Sequence, residues 1–326
     1  MSRASSTLLR IGKQEIEVSH LDKVLYPETG FTKGDVIHYY IDIAPVLLPH
    51  LAGRALTMKR YPDGVGRFFF YEKNCPAHRP RWLPTVAVTS TRSQRTIRYC
   101  VVDTLPALVW AANLADLELH VSLARAATAP ARPTVMVFDL DPGPGAGLLE
   151  CARVAMKIRA RLADRSLGSF PKTSGSKGLQ VYVPLNTPAT FGATKAISRA
   201  LAEELAAELP NDVTANMRKD LRGGKVFIDW SQNDTHKTTV CAYSLRATPE
   251  PSVSTPLAWA EVEGAVRTKK ADRLRFGPKE VLARVARRGD LFAPVLRLKQ
   301  KLPSRRMPAS PVESDRIATG NSRRRM

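Results

Sequence analysis

The most informative segment of the chain reads Thr134-Val135-Met136-Val137-Phe138-Asp139-Leu140-Asp141-Pro142-Gly143, an apolar run that ends in two acids. The run is too apolar for a surface loop and predicts a buried strand. Side chains alternate between the faces of a strand, so Asp139 and Asp141 point the same way. Two hard oxygen ligands at one place suit Mg²⁺ or Mn²⁺. The segment therefore predicts a metal site at a strand end.

A plainer interpretation is that the acid pair caps a turn or pairs with nearby arginines, which is the usual meaning of D-x-D alone. A third acid favours the metal site. Lys225-Val226-Phe227-Ile228-Asp229-Trp230 is a second apolar strand, and Asp229 on it could be a third ligand. Asp229 could instead be a turn residue before Ser231-Gln232-Asn233.

Charge narrows the class of partner. The 326 residues include 50 Lys and Arg against 30 Asp and Glu, a formal net charge of +20. Such an excess favours a polyanion, with nucleic acid ahead of an anionic membrane. No apolar stretch is long enough to span a bilayer, and the N-terminus lacks the apolar core of a signal peptide. We therefore expect a cytoplasmic protein with no membrane partner.

The four cysteines are far apart and form no C-x-x-C motif: Cys75, Cys100, Cys151 and Cys241. A disulfide framework or a zinc site would show closer or regular spacing. The cysteines therefore predict reduced thiols, as in other cytoplasmic proteins.

Hydrophobic periodicity predicts helices and strands that do not alternate strictly, so the expected fold class is α+β and not a doubly wound sheet. The predicted helices run from the Thr32 capping box to Pro49, from Asp103 through Leu114 towards His120, from Leu148 to Leu162, and along Ile197 to Leu209. Strands are predicted at 56–60, 67–72, 85–90, 96–102, 134–140, 179–184, 225–230 and 238–243, with a hairpin turn at Gly223-Gly224. From Pro303 to Met326 the chain is rich in Ser, Pro and Arg, which predicts a disordered basic tail after a folded domain of residues 1–302.

Further segments could bind phosphate or bases. Thr173-Ser174-Gly175-Ser176-Lys177-Gly178 can offer backbone N–H groups, hydroxyls and one ammonium group to phosphate oxygens, although it is no Walker A loop. Arg246 could bind a phosphate bidentately, and His120 could donate to one, although a single histidine near a helix end is more often structural. Around Lys59-Arg60 and Arg67 to Asn74, cations alternate with aromatic rings that could stack on bases or fill the core.

Eight motifs, taken in order, resemble the polymerase domain of the bacterial non-homologous end-joining ligases, a branch of the archaeo-eukaryotic primase superfamily. They are Leu21 to Pro27, Thr32-Lys33, Phe70 to Asn74, Glu118-Leu119-His120, Phe138 to Gly143, Thr173 to Gly178, Asp229 to Asn233 and Tyr243 to Arg246. The resemblance extends from about residue 8 to about residue 302. It implies a primase-polymerase core with a small RRM-like antiparallel or mixed sheet that carries the catalytic acids on its strands.

The resemblance also implies roles for individual residues. Asp139, Asp141 and Asp229 would bind two divalent ions, Mn²⁺ or Mg²⁺. The incoming NTP or dNTP would be held by His120, Ser174, Lys177 and Arg246, and the nascent base pair and cleft would be lined by Lys59, Phe70, Tyr71, Arg222 and Gln232. Lys23 and Lys33 would bind a 5′-phosphate across a DNA gap or break, with His20 where relatives often have Asn. Ser174 would sense a 2′-hydroxyl and so favour ribonucleotides.

The implied reaction is template-directed nucleotidyl transfer in DNA repair, with gapped or broken DNA as the substrate in the bacterial nucleoid. Since the sequence shows no K-x-D-G motif, we expect a separate ATP-dependent DNA ligase to act with it, and a Ku-type end-binding protein as a further partner. Two other functions are compatible with parts of the sequence. A haloacid-dehalogenase-type phosphatase also has an apolar strand ending in D-x-D, with the first Asp as nucleophile. A non-catalytic nucleic-acid-binding protein needs only the charge and the aromatic residues, and leaves three acids unexplained.

Overall fold

The computed structural model describes residues 6–89, 95–126 and 131–303. Within these ranges the chain forms seven α-helices: α1 (Lys33–Leu51), α2 (Leu105–Asn113), α3 (Leu148–Ala163), α4 (Phe191–Glu208), α5 (Trp259–Thr268), α6 (Pro278–Arg288) and α7 (Ala293–Arg297). The same ranges contain seventeen strands: β1 (Ser6–Ile11), β2 (Gln14–Ser19), β3 (Val24–Tyr26), β4 (Phe31–Thr32), β5 (Leu56–Arg60), β6 (Phe70–Glu72), β7 (Thr85–Thr89), β8 (Thr96–Cys100), β9 (Asp116–Val121), β10 (Val135–Pro142), β11 (Phe170–Thr173), β12 (Leu179–Pro184), β13 (Val213–Thr214), β14 (Val226–Asp229), β15 (Thr239–Val240), β16 (Leu245–Arg246) and β17 (Ser252–Val253). The mixture confirms the predicted α+β class.

The predicted strand with the two acids is the centre of a five-stranded sheet, ordered β11-β12-β10-β14-β13. β10 pairs antiparallel with β12 on one side and with β14 on the other. β13 and β14 are parallel, so the sheet is mixed. The predicted hairpin turn at Gly223-Gly224 is therefore wrong. The two glycines precede β14, but the neighbouring strand before them runs in the same direction.

The two faces of β10 are buried against different parts of the molecule. Met136, Phe138 and Leu140 belong to a core that helices α3 and α4 share with the sheet. Val135 and Val137 point the other way and belong to a second core. Asp139 and Asp141 continue this second face by the two-residue alternation of a strand. The acids therefore lie on the face that is directed towards the second sheet.

The second sheet is ordered β15-β9-β5-β8-β7, with β6 paired to β5. Helices α1 and α2 pack together beside it, and α1 begins with the predicted capping box, in which Thr32 and Asp35 bond reciprocally. Two boundaries were predicted wrongly. Helix α1 passes through Pro49 to Leu51, and α2 stops at Asn113, so His120 lies on strand β9 and not near a helix end.

Some elements gave no clear pattern in the sequence. They are the N-terminal hairpin β1–β2, strands β9 and β11, and helices α5, α6 and α7. The predicted basic tail lies outside the described residues from position 304 onward, as does residue 90 of one predicted strand. None of the described helices combines the length and the apolar character needed to cross a membrane.

The prediction of four reduced thiols was wrong for two of the cysteines. Cys75 and Cys100 form a disulfide, with Cα atoms 5.0 Å apart and both side chains buried. It joins the segment after β6 to the end of β8. Cys151 and Cys241 are free and buried, as predicted. Sequence spacing missed the pair because a bond that closes a single long loop has no characteristic motif.

Reduction of the disulfide should lower the stability of the domain. The bond closes a loop of 25 residues, and loop-closure entropy of that size stabilises the folded state by about 3 kcal/mol. We expect a dithiol reductant to lower the melting temperature by several degrees, measured by calorimetry. The Cys75→Ser/Cys100→Ser variant should melt at this same lower temperature, whether or not reductant is present. An unchanged melting temperature, after a thiol titration has shown that all four cysteines are reduced, would contradict the assignment.

Candidate active site

The acids of the five-stranded sheet lie in direct register. Asp139 on β10 is the cross-strand partner of Asp229 on β14, and Asp141 is two residues further along β10. Directly opposed residues have Cβ atoms roughly 4.5–5.5 Å apart, and the diagonal pair is within reach of long side chains. Asp139 and Asp141 line a cavity of about 340 Å³ between the two sheets. The structure therefore brings the three predicted acids together at one edge of a cleft.

Amide side chains hold Asp139 in place. Gln180 Nε2 donates to Asp139 Oδ1 at 2.9 Å, and Gln232 Nε2 donates to Oδ2 at 3.3 Å. Asp229 is held separately, because the Ser231 backbone N–H donates to its Oδ1 at 3.0 Å and Lys237 Nζ lies 3.5 Å from its Oδ2. Asp139 and Asp229 are thus oriented by different partners.

The electrostatics of the acids is unfavourable without a cation. Burial, followed by the neighbouring charge of Asp141, raises the pKa of Asp139 to about 7. Burial and the charge of Asp229 also raise the pKa of Asp141. Among the residues that the structure describes, no three His, Cys, Asp or Glu side chains form a closed metal-binding group. The acids are aligned by the strand register, and the charge of each makes ionisation of its neighbours less favourable.

A polar row that sequence reasoning missed runs across the sheet beside the acids. Lys172 on β11 faces Gln180 on β12, and Gln180 faces Asp139. Both side chains are buried, and Lys172 Nζ donates to Ser254 Oγ at 2.6 Å. Burial lowers the pKa of Lys172 to about 7. The available signal was a single polar residue in the otherwise apolar strand Leu179 to Pro184.

The predicted phosphate loop borders the same cavity, but its amides are partly occupied. Ser174 Oγ accepts hydrogen bonds from the backbone N–H groups of Ser176 and Gly178, at 3.2 and 3.1 Å. Gly175 has a φ of +73°, and a Cβ there would lie 2.7 Å from Arg246 Cγ. Lys177 is exposed towards the cavity. The loop therefore presents hydroxyls and one ammonium group, while two of its amides stabilise its own turn.

The opposite wall of the cavity carries predicted cations from the second sheet and from the separate β16–β17 pair. His120 on β9 and Arg246 on β16 line the cavity, and Arg246 NH1 donates to the backbone carbonyl of Ser174 at 2.7 Å. Lys59 on β5 is the cross-strand partner of Glu118 on β9. The carboxylate of Glu118 contacts His120, Arg246 and Lys59, at 3.0, 3.2 and 3.2 Å. Glu118 belongs to a motif that the sequence singled out, but no role was predicted for it.

The structure separates the two predicted ring residues. Lys59 Nζ lies 5.6 Å from the centroid of the Tyr71 ring and 4.7 Å from that of Phe69. Phe70 lies on the other face of β6, with Arg60 at 5.2 Å from its ring centroid. Tyr71 and Phe69 are 54% and 45% exposed. The exposed rings on the Lys59 side are therefore Phe69 and Tyr71, and Phe70 packs away from them.

Arg222 and Gln232 line the cavity as predicted. The Arg222 guanidinium stacks on the Phe227 ring at 3.7 Å and donates to the backbone carbonyl of Met217 at 2.8 Å. Met217 is 49% exposed on the same loop. Arg222 is thus at the cavity edge with its charge directed along the loop.

A second cavity, of about 220 Å³, collects the residues predicted for a 5′-phosphate. His20, Lys23 and Lys33 line it together with Arg60, which sequence reasoning did not assign. Lys33 Nζ donates to the Ser19 carbonyl at 2.7 Å, and Lys23 Nζ lies 3.0 Å from Asp63 Oδ1. His20 has a φ of +54°, a conformation that Asn tolerates better than most residues. Strand β5 therefore places Arg60 at the second cavity, while Lys59 on its other face contacts Glu118.

A mixed sheet with three aligned aspartates, opposed by cationic side chains across a cavity, is the arrangement expected of a nucleotidyltransferase of the primase-polymerase class. The family model described as LigD, primase-polymerase domain, matches residues 32–292. The match covers well over half of the chain, so the chain belongs to the LigD primase-polymerase family. Membership of this family excludes the phosphatase alternative and the non-catalytic alternative.

Individual relatives agree with the family. The chain is 42% identical over 283 residues to the multifunctional non-homologous end joining protein LigD of Mycolicibacterium smegmatis, covering 86% of this chain and 36% of that protein. It is 30% identical over 253 residues to the bifunctional non-homologous end joining protein LigD of Bacillus subtilis, covering 77% and 40%. The chain thus spans well under half the length of these relatives. A solved structure, the polymerase domain from Mycobacterium tuberculosis ligase D in complex with DNA, is similar with a TM-score of 0.81 and 41% identity, covering 87% of this chain and 99% of that one.

Proposed function

We propose that the chain extends a DNA-paired primer strand by template-directed nucleotidyl transfer, filling short gaps or broken ends during repair. The observation that carries the proposal is the register of Asp139 and Asp229, with Asp141 beside them, in a cavity whose other wall presents His120 and Arg246. Acids to activate a primer hydroxyl and cations to hold a triphosphate are what this reaction requires. The end-joining names of the relatives and the DNA-bound structural neighbour support the same reaction.

The residues fit two divalent ions, Mn²⁺ or Mg²⁺. Hard carboxylate oxygens are the ligands these ions prefer. Burial raises the pKa of Asp139, and Gln180 Oε1 is buried without a hydrogen-bond partner beside it, so a bound cation would stabilise both groups. Asp139, Asp141 and Asp229 would hold the ions. When bound, such a pair supplies Lewis-acid activation of a hydroxyl and neutralises charge on a leaving pyrophosphate.

The chain's own residues bind and orient the nucleotide. Lys177 and Arg246 lie where they can hold the oxygens of an NTP or dNTP triphosphate, with His120 as a further donor. The Ser174 hydroxyl proton is free to donate because its oxygen accepts the two loop amides, and this supports a preference for ribonucleotides through the 2′-hydroxyl. Tyr71 and Lys59 border the base end of the cleft. Phe70 lies next to Tyr71 on the same strand, but its ring is on the opposite face, beside Arg60.

The DNA substrate is a gap or break that carries a 5′-phosphate, bound by Lys23, Lys33 and His20 in the second cavity. The end-joining role of the relatives supports a separate ATP-dependent DNA ligase and a Ku-type end-binding protein as partners. A DNA substrate places the protein at the bacterial nucleoid. The basic segment after residue 303 would add salt-dependent, non-specific affinity for DNA.

Replacing one acid should abolish the reaction without weakening DNA binding. We expect Asp139→Asn to lower primer extension on a gapped duplex by more than about 100-fold, because a charge-stabilising group in the reaction centre is lost. DNA affinity, measured by fluorescence anisotropy, should stay near wild type. Asp164→Asn removes an acid whose side chain is 65% exposed on the surface and should extend normally. Substantial extension by Asp139→Asn would remove the acid pair from the metal site.

Recognition of the 5′-phosphate should weaken at high pH. Burial, and then the charges of Lys23 and Arg60, lower the pKa of Lys33 to about 8. Lys33 is therefore a cation below that pH and becomes neutral above it, whereas a phosphate monoester is already a dianion above about pH 7. The affinity ratio of 5′-phosphate to 5′-hydroxyl gaps should fall roughly tenfold between about pH 7 and 10, which is the value of one charged hydrogen bond.

The matched variant for this measurement is Lys33→Arg, whose guanidinium stays charged throughout the range. Its affinity ratio should stay nearly constant with pH. If the ratio falls equally in both proteins, titration of Lys33 is not the cause of the wild-type decline.

A further inference from the structure

Glu118 is a buried acid in contact with three predicted nucleotide-binding side chains. It is 2% exposed. Its Oε2 lies 3.0 Å from His120 Nε2 and 3.2 Å from Arg246 Nε, and its Oε1 lies 3.2 Å from Lys59 Nζ. Tyr61 OH also donates to Oε1, at 3.2 Å. Both carboxylate oxygens are therefore fully engaged by side chains around the cavity.

Strand register makes Glu118 a junction between elements that are distant in sequence. Lys59 is its cross-strand partner on β5, and His120 is two residues along β9 on the same face. Arg246 arrives from the β16–β17 hairpin, where the backbone N–H of Ala247 donates to Glu118 Oε1 at 3.1 Å. One carboxylate therefore fixes a strand neighbour, a residue of its own strand and a separate hairpin.

The charge of Glu118 is opposed to the function of its neighbours. Burial acts to raise its pKa, but the hydrogen bond from His120 and the charges of Arg246 and Lys59 outweigh burial and lower the pKa well below the usual range. The group is thus an anion beside the place where an anionic triphosphate binds. Like charges at this range disfavour binding. Affinity for the nucleotide therefore does not explain why a carboxylate is present at this position.

We propose that Glu118 is a positioning residue that holds Lys59, His120 and Arg246 as one preorganised unit for the incoming nucleotide. This role rests on the proposed nucleotidyl transfer, and it concerns a residue that does not itself touch the nucleotide. A unit fixed before the nucleotide arrives needs no reorganisation during the reaction, which is where preorganised charge has its effect. Glu118 therefore lowers ground-state affinity slightly and raises the rate of the bound complex.

The first test is the division of the effect between kcat and KM. Glu118→Gln places an N–H group against one of the cations and releases it, and misplacement of about 1 Å can cost about 10²-fold in rate. We expect kcat for single-nucleotide insertion on a gapped duplex to fall between about 10-fold and 100-fold, with KM for the nucleotide unchanged or lower. A rise in KM at constant kcat would overturn the proposal.

The chain offers a matched control on the same strand. Asp116 is fully buried two residues before Glu118, accepts the Lys59 backbone N–H at 2.8 Å and contacts none of the three cationic side chains. Asp116→Asn keeps an acceptor for that N–H and should leave both kinetic constants near wild type. Glu118→Asp keeps the charge but is one methylene shorter, and should show the same loss in kcat. If Glu118→Asp restores the wild-type rate, charge balance and not position is the role of the residue.

A double-mutant cycle separates positioning from a general structural role. Residues that act as one unit are strongly non-additive. His120→Ala combined with Glu118→Gln should therefore be little slower than His120→Ala alone, whereas independent losses would multiply and overturn the proposal. Asp139→Asn in the same assay distinguishes failure of the proposed function from failure of the positioning role. If it is fully active, the proposed function fails. If it is inactive while Glu118→Gln behaves like Asp116→Asn, only the positioning role fails.

Discussion

The structure depends on one constraint, which is that a strand buried on both faces ends in carboxylates that have no cation of their own. The apolar part of β10 is buried in two cores, and this fixes its register against β12 and β14. A shift of one residue would turn the acids into the helix-facing core and the apolar side chains into the cleft. Burial of Phe138 and Leu140 therefore determines the direction of Asp139 and Asp141. Repulsion between the acids is tolerated because the register leaves them no alternative position.

The other half of the molecule supplies side chains of the opposite charge. His120, Lys59 and Arg246 come from strands of that half of the molecule, whereas the acids come from β10 and β14. The cations are paired with the buried Glu118 of their own side and not with Asp139 or Asp141. The cavity of about 340 Å³ therefore has carboxylates on one wall and cationic side chains on the other. A substrate that carries both a triphosphate and divalent ions complements both walls at once.

Prediction from the sequence succeeded where a local pattern determines a structure. The strand of Asp139, the capping box at Thr32 and the helix from Leu148 follow from alternation, capping and helical spacing. The family resemblance placed most cavity residues, including Ser174 and Arg246. It could not show which of Phe70 and Tyr71, which alternate on a strand, lies on the Lys59 side, because the pairing of β6 with β5 settles that. The disulfide, the contacts of Gln180 with Asp139 and the partners of Glu118 depend on contacts between distant segments, for which the sequence carries no local signal.

Strand β9 shows why burial alone does not reveal the role of an acid. Asp116 and Glu118 lie two residues apart on one strand, and both are almost completely buried. Burial raises the pKa of Asp116 well above its usual range, since its one close donor is a neutral backbone N–H and its Oδ2 has no partner. Glu118 differs because two charged side chains and an imidazole lie within 3.2 Å of its oxygens. The cations that the fold places beside a buried acid therefore determine its charge state. The charge state in turn determines which side chains the acid can hold in position. In this fold those cations are the ones proposed to bind the nucleotide.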